Sequence, residues 1–175
     1  AYIGAQETSS LTSFFNGSLQ NLKYYSRVLT AAEVQYDRES ALGMSGGTDP
    51  TTTNLTGHWI TSQLSNAISR IAADSSSSGN DATIVSKDIG TALSTSVVSG
   101  ASGSCLVNTL DEYVRLDEHI DDYKSDAYGS IAGWFKTAGT AGDQVLFSAS
   151  DRGDANSEFT IKLTTAGVID IIIQY

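Results

Sequence analysis

The amino-acid sequence predicts an all-β protein, an antiparallel jelly-roll sandwich with one short helix near residues 30–42. Short runs rich in Val, Ile, Thr and Tyr recur at intervals of about ten to fifteen residues, a spacing typical of strands in such sandwiches. Ser, Thr and 16 Gly residues stand between these runs and favour turns. Helical stretches are few, and the clearest one begins near residue 30.

The first part of the chain, residues 1–42, opens with two strand-like segments. Residues 2–5 form a short apolar run, and residues 14–25 alternate apolar and polar side chains after a bend at Asn16-Gly17. We expect a strand in each segment.

The predicted helix follows these strands. Thr30 and Glu33 have the spacing of a capping box, in which the hydroxyl and the carboxylate each accept a hydrogen bond from a backbone N–H at the helix start. Val34, and with it Tyr36, would point inward, and the helix would end near Leu42.

Residues 43–53 have the composition of a linker, with three glycines, the only proline and four threonines. A new series of predicted strands begins after this linker. The segments that contain them are 55–60, 73–85, 104–109, 112–117, 129–137, 144–150, 158–165 and 167–175.

Charge and composition exclude several classes of protein. Ten Lys and Arg residues face twenty Asp and Glu residues, so the net charge is -10, and no cationic cluster is available for a phosphate backbone. No apolar run reaches the roughly 20 residues that a membrane-spanning helix needs. The single cysteine, Cys105, excludes an internal disulfide and is expected to be a small buried side chain, the alternatives being a reactive thiol or an intermolecular bridge.

Four motifs of the first part stand in an order that resembles the closing third of a laminin-G-like, or concanavalin A-like, jelly roll. They are Ile3-Gly4, Phe15-Asn16-Gly17, Tyr25-Ser26-Arg27 and the segment Leu-Thr-Ala-Ala-Glu-Val at residues 29–34.

The second part resembles the opening two-thirds of the same fold. The matching segments are 55–59, 74–83, 111–116 and 130–136, and the middle-to-late strands of the family have no counterpart. The resemblance therefore implies the C-terminal part of one domain at 1–42, a linker at 43–53 and the N-terminal part of a second domain at 54–175. Such an order is expected of a segment from a longer tandem array.

The last strand, within residues 168–175, is a long apolar run without a later partner in the sequence. Unpaired edges of this kind attract other strands. We expect neighbouring domains, or residues 1–25 of an adjacent molecule, to complete the sheet, and in the second case head-to-tail contacts could propagate into a fibre.

Catalysis is not expected, although the family that the chain resembles includes glucanases. Those enzymes place carboxylates in phase on one strand so that they flank a sugar. The nearest cluster lacks a third carboxylate in phase and is interpreted as a solvated loop. Its members are Asp117, Glu118, Asp121 and Asp122.

Nucleophilic triads are not indicated either. The two histidines, His58 and His119, lie in a predicted strand and in the acidic loop, and no Gly-x-Ser-x-Gly motif occurs. Arg152-Gly153-Asp154 is interpreted as a hairpin tip and not as an adhesion motif.

The resemblance implies a Ca²⁺ ion bound by loop oxygens, with Asp74 and Asn80 as ligands. Hard cations prefer carboxylate and carbonyl oxygens, which both residues carry. Gln20 stands where the family often has a further acid. The alternative is a polar loop ordered by its own Asx turns.

Trp59 and Trp134 are both predicted to lie in the core, because each stands in a strand pattern with apolar neighbours. The resemblance as a whole implies a non-catalytic binding or structural module of an extracellular or virion surface protein, which would recognise a glycan or a protein. Two alternatives are a subunit of a fibre or viral appendage and an accessory domain of a glycoside hydrolase.

Overall fold

The computed structural model describes residues 1–7, 11–59, 71–85, 93–95, 104–108, 113–116, 128–139, 142–150 and 158–174. Among these residues the helix α1 spans Ala31–Ala41. The strands in chain order are β1 (Tyr2–Ile3), β2 (Gln6–Glu7), β3 (Leu11–Thr12), β4 (Gly17–Tyr25), β5 (Leu55–Trp59), β6 (Ile71–Ala72), β7 (Ala82–Val85), β8 (Leu93–Thr95), β9 (Ser104–Asn108), β10 (Tyr113–Arg115), β11 (Ser130–Thr137), β12 (Gln144–Ser150), β13 (Glu158–Leu163) and β14 (Ile169–Gln174).

The strands form two main antiparallel sheets, which confirms the predicted all-β sandwich. The larger sheet has seven strands in the order β14-β13-β12-β1-β10-β7-β6. The smaller has the order β11-β4-β9-β8, and β5 pairs with β4 beside this path. Strands β2 and β3 form a separate hairpin. The specific jelly-roll connectivity remains a prediction.

One apolar core lies between the two sheets. The larger sheet contributes Ile3, Ile84 and Phe147, and the smaller contributes Leu19 and Trp59, all of them buried in the same cluster. Alternate residues of a regular strand face the same side, and at the irregularity in β12 the adjacent Leu146 and Phe147 both lie in the core.

The first and second parts of the chain share these sheets. Tyr2 of β1 pairs with Arg115 of β10 on one side and with Ser148 of β12 on the other. Strand β4 pairs with β5, β9 and β11. Residues 1–25 of this chain thus lie in its own sheets, which corrects the expectation that residues 1–25 of an adjacent molecule take these places. The assignment of 1–42, 43–53 and 54–175 to successive domains of an array remains a prediction.

Helix α1 begins as predicted. Thr30 is the N-cap residue, and its hydroxyl and the Glu33 carboxylate form both hydrogen bonds of the capping box. The expected inward position of Val34 is wrong, because this side chain is 55 % exposed. The side chains that the helix buries are Asp37 and Glu39. Asp37 is paired with the Lys23 ammonium of β4, and Glu39 accepts a hydrogen bond from the Gln35 amide of the helix itself.

The two tryptophans differ. Trp59 is buried as predicted, with 3 % exposure. Trp134 is only partly buried, so its prediction as a core residue is wrong. Ile131 packs against the core and Phe135 lies edge-on to the buried Phe15 ring, and strand alternation therefore directs Trp134 to the outer face.

An irregularity in β4 allows its core-facing side chains to stay opposite those of β11 along the whole strand pair. Ala132 pairs with Lys23, whereas Trp134 pairs with Gln20, so β4 contains one extra residue at this point. Asn21 lies in this stretch with a φ of 55°. The bulge keeps both Leu19 and Tyr24 directed toward the core.

Candidate functional site

The predicted metal loop, residues 74–81, connects β6 to β7 and lies against β5. Asp74 forms an isolated antiparallel bridge with Trp59, and the N–H of Ser75 donates a hydrogen bond to the carbonyl of His58 over 2.8 Å. The loop is therefore attached to the outer edge of β5 by its own backbone.

The Asp74 carboxylate accepts four hydrogen bonds. Its Oδ1 accepts from the backbone N–H groups of His58 (2.7 Å) and Ser76 (2.8 Å). Its Oδ2 accepts from the Ser76 hydroxyl (2.6 Å) and from the backbone N–H of Asn80 (2.8 Å). A carboxylate has about four acceptor sites, so these donors occupy its capacity.

Asn80 anchors the other end of the loop. Its side chain is buried, and the amide group donates to the carbonyl of Thr56 over 2.8 Å. Its backbone carbonyl accepts the indole N–H of Trp59 at 2.9 Å. The loop thus satisfies the one polar group of a buried tryptophan, as buried polar groups require.

Two further residues shape the turn. The Asp81 carboxylate accepts a hydrogen bond from the N–H of Asp74 over 2.8 Å. Gly79 has a φ of 68°, in the left-handed region where glycine is favoured. Together with the Asp74 contacts, these are the Asx-type hydrogen bonds that order a polar loop without an added ligand.

The same contacts determine the charge state of Asp74. Partial burial alone would raise its pKa, but the hydrogen bonds from Ser76, His58 and Asn80 outweigh this effect. The pKa of Asp74 is therefore lowered from its ordinary value, and the carboxylate is ionised at neutral pH.

The structure brings Asp74 and Asn80 together, as the sequence predicts, but not as two oxygen ligands. Asn80 directs its backbone N–H at the carboxylate, and the positive ends of N–H and O–H dipoles surround both Asp74 oxygens. Among the described residues no group of three or more His, Cys, Asp or Glu side chains could hold a metal ion. This arrangement does not fit a Ca²⁺ site.

A second polar cluster lies beside the loop, between β4, β5 and α1. The Nε2 atom of His58 lies within hydrogen-bond distance of the Asn21 side-chain oxygen. The Lys23 ammonium is paired with the largely buried Asp37 carboxylate of α1. The sequence predicts a strand at Lys23 from its alternating pattern, but it does not indicate that this lysine pairs with Asp37.

Burial lowers the pKa of His58 to about 4, and the positive charge of Lys23 acts in the same direction. His58 is therefore neutral near pH 7. Because an amide oxygen can only accept a hydrogen bond, Nε2 is the protonated ring nitrogen. The histidine thus holds the Asn21 side chain at the bulge of β4 by a hydrogen bond.

Several residues considered in the sequence lie outside the described residues. They are Asp117, Glu118, His119, Asp121, Asp122 and Arg152-Gly153-Asp154. The backbone of Cys105 lies in β9, but its side chain is outside the described part, so its predicted burial remains a prediction.

An exposed apolar surface occurs on β14. Ile169, Ile171 and Ile173 are 44 %, 58 % and 56 % exposed, and we call these three side chains the β14 strip. They stand directly opposite Leu163, Ile161 and Phe159 of β13, all of which face the core side of the sheet. The strip therefore continues the core-facing side beyond the cover of the smaller sheet.

Within the described residues no helix is both long enough and apolar enough to cross a membrane. Comparisons of the chain with protein families, with curated proteins and with solved structures find no match.

Proposed function

We propose that this chain is a non-catalytic binding and structural module of a multi-domain surface protein, extracellular or on a virion. The polar side chains described above support a structural role for the loop and the neighbouring cluster. Asp74, Asn80 and His58 all use their polar atoms to hold β4, β5 and the loop together.

The observation that carries the proposal is the β14 strip. Soluble proteins seldom leave a row of large apolar side chains exposed on a terminal strand, and such rows mark protein–protein contacts. Isoleucine has no group that hydrogen-bonds a sugar hydroxyl. The strip therefore favours a protein partner over a glycan.

A role as a subunit of a fibre or viral appendage is the second candidate. The strip lies on the terminal strand of a seven-stranded sheet, where a partner strand can extend the sheet by backbone hydrogen bonds. Both roles use the same surface and differ in the partner.

The experiment applies the labelled full chain to an array of extended peptides that alternate β-branched and polar residues, and to a glycan array with and without Ca²⁺. We expect binding to peptides and its loss in Ile171→Lys. The control is Val28→Lys, which places the same charge on a 65 % exposed valine in the connection between β4 and α1.

Two results would contradict the proposal. The first is glycan binding that Ile171→Lys leaves unchanged, since this places the binding site elsewhere. The second is release of reducing sugar from a polysaccharide panel by the purified chain, because it would show an enzyme.

A further inference from the structure

Strand β14 is the terminal strand of the larger sheet. All six of its residues pair with β13, from Ile169 opposite Leu163 to Gln174 opposite Glu158. No described strand pairs with its other edge. Alternate backbone N–H and C=O groups along that edge are therefore directed away from the sheet.

The other sheet ends in the described structure are poorer templates for strand addition. Strand β6 has two residues and β8 has three. Strand β11 is longer, but it carries Lys136 and lies against the bulge in β4. Short strands, lysines and bulges are the features that protect natural edges.

Strand β14 lacks these protective features. It contains neither Pro nor Lys, and its register with β13 is regular throughout. Its one charged side chain, Asp170, lies 3.8 Å from the Lys162 ammonium of β13. The edge is thus regular, apolar on one face and close to neutral.

We propose that two copies of this chain associate by antiparallel pairing of their β14 strands, in the register centred on Ile172. This inference rests on the proposed function, since it names the partner that pairs with the edge of β14 and sets its own strip beside the first. The contact joins the larger sheets of the two copies side by side, with both strips on the same face.

The sequence of β14 is self-complementary in this register. Ile171 stands opposite Ile173 of the second copy, and Ile172 stands opposite its own counterpart. Asp170 stands opposite Gln174 of the second copy, whose amide N–H₂ can donate to the carboxylate. Both polar residues lie on the face opposite the strip, because strand positions alternate.

Other registers are less favourable. Centring the contact on Asp170 would place two carboxylates directly opposite each other, which destabilises a strand pair. Centring it on Ile171 would leave Asp170 opposite the apolar Ile172 of the second copy. Charge and hydrogen bonding therefore select the register centred on Ile172.

The shape of the contact favours a dimer over a fibre. Pairing β14 with β14 uses the same surface on both copies, and a contact of this type closes on itself. A head-to-tail contact would pair β14 with a different edge, and the opposite edge of the same sheet, β6, is too short to match it.

The net charge of each copy opposes this association, and the dimer should therefore depend on ionic strength. Each copy carries a net charge of -10, so two copies repel each other at low ionic strength. Added salt screens this repulsion without weakening apolar and backbone contacts to the same extent. We therefore expect the dimer to strengthen as NaCl is added.

The test is sedimentation equilibrium of the full chain over a range of concentrations and NaCl levels. We expect a monomer–dimer equilibrium, and an increase of about tenfold or more in its dissociation constant for Ile171→Lys, since each dimer would then place two lysines directly opposite Ile173 of the other copy. Val28→Lys should leave the constant unchanged. A monomer at every concentration, or a dimer that Ile171→Lys does not weaken, would overturn the inference.

Cross-linking tests the register independently. Directly opposite residues have Cα atoms about 4.5–5.5 Å apart, within the range that a disulfide spans. In a Cys105→Ala background, Ile172→Cys should therefore give a disulfide-linked dimer under mild oxidation, and Val28→Cys should not. Equal cross-linking of the two variants would contradict the proposed pairing.

Failure of the proposed dimer and failure of the proposed binding function give different experimental results. Peptide binding that depends on Ile171, together with a monomeric chain, would overturn the dimer and leave the proposed binding function intact. Hydrolysis of a polysaccharide would overturn the proposed function whatever the state of association.

Discussion

Single side chains connect segments of this molecule that are distant in sequence. The Asp74 carboxylate accepts hydrogen bonds from β5, from its own loop and from the residue that binds the Trp59 indole. Removing such a group lowers the free energy of unfolding mainly because several donors lose their acceptor, and less because any single hydrogen bond is lost.

Asp74→Ala is expected to lower the free energy of unfolding by about 1–3 kcal/mol, because it leaves N–H groups of His58 and Asn80 without their acceptor. Asp74→Asn retains one oxygen and should cost less. Urea denaturation measures both variants.

The same experiment with added Ca²⁺ or with a chelator tests the metal prediction. Because donors surround the Asp74 oxygens, we expect identical unfolding curves for the wild-type chain under the two conditions. Stabilisation that increases with Ca²⁺ concentration and disappears in Asp74→Ala would show that the loop rearranges to hold the ion.

His58 makes stability depend on pH. Above its ordinary pKa of 6.5 the imidazole is neutral in both the folded and the unfolded chain. Between pH 6.5 and about 4 the unfolded chain binds a proton there and the folded chain does not, so the free energy of unfolding decreases as the pH falls.

Urea denaturation across this pH range should show a shallower slope for His58→Gln than for the wild type. Val34→Gln, at a 55 % exposed position of α1, leaves His58 in place and should retain the slope. An unchanged slope in His58→Gln would mean that other groups cause the pH dependence.

Among the elements, helix α1 is stabilised by its ends and its polar contacts more than by an apolar face. The Arg27 guanidinium binds the Glu33 carboxylate through two hydrogen bonds, of 2.8 and 3.0 Å, and also donates to the carbonyl of Pro50. These bonds connect the helix start with the segment on each side of it. Arg27 and the Thr30 cap together hold the pKa of Glu33 at about 2.

Thr30→Ala removes the hydroxyl that accepts from the Glu33 N–H, and we expect a loss of about 1 kcal/mol in the free energy of unfolding. Thr30→Ser keeps the hydroxyl and should be close to the wild type. Thermal denaturation followed by circular dichroism distinguishes the two. Equal losses in both variants would show that the methyl group matters and the cap does not.

For the whole molecule, the decisive feature is that strands from both parts of the chain alternate within the same sheets. Strand β1 lies between β10 and β12, and β4 pairs with β5, β9 and β11. Neither part can form its sheets as described without the other.

We therefore expect one cooperative unfolding transition, reported alike by tryptophan fluorescence and by far-ultraviolet circular dichroism. Removal of residues 1–42 should abolish the transition, because β10 and β12 would lose the strand between them. Two separate transitions in the intact chain would instead indicate independent halves.

Much of the local structure could be predicted from sequence. Every segment predicted as a strand contains one, and the helix begins at the predicted cap, because alternation and capping depend on residues close together in the chain. The short strands β2, β3, β6 and β8 were not predicted, because two or three residues are too few to show alternation, and the equally short β1 and β10 were found only as parts of longer strand-like segments.

The sequence by itself determined the all-β class and the position of α1, and its alternation predicted the burial of Trp59. Tertiary structure alone decided the rest. The bulge at Asn21, the outward face of Trp134 and the exposure of Val34 depend on which strands become neighbours. Pairing of β1 with β10 and β12 joins residues more than a hundred positions apart, and no local pattern encodes such a contact because its energy arises only when the sheets assemble.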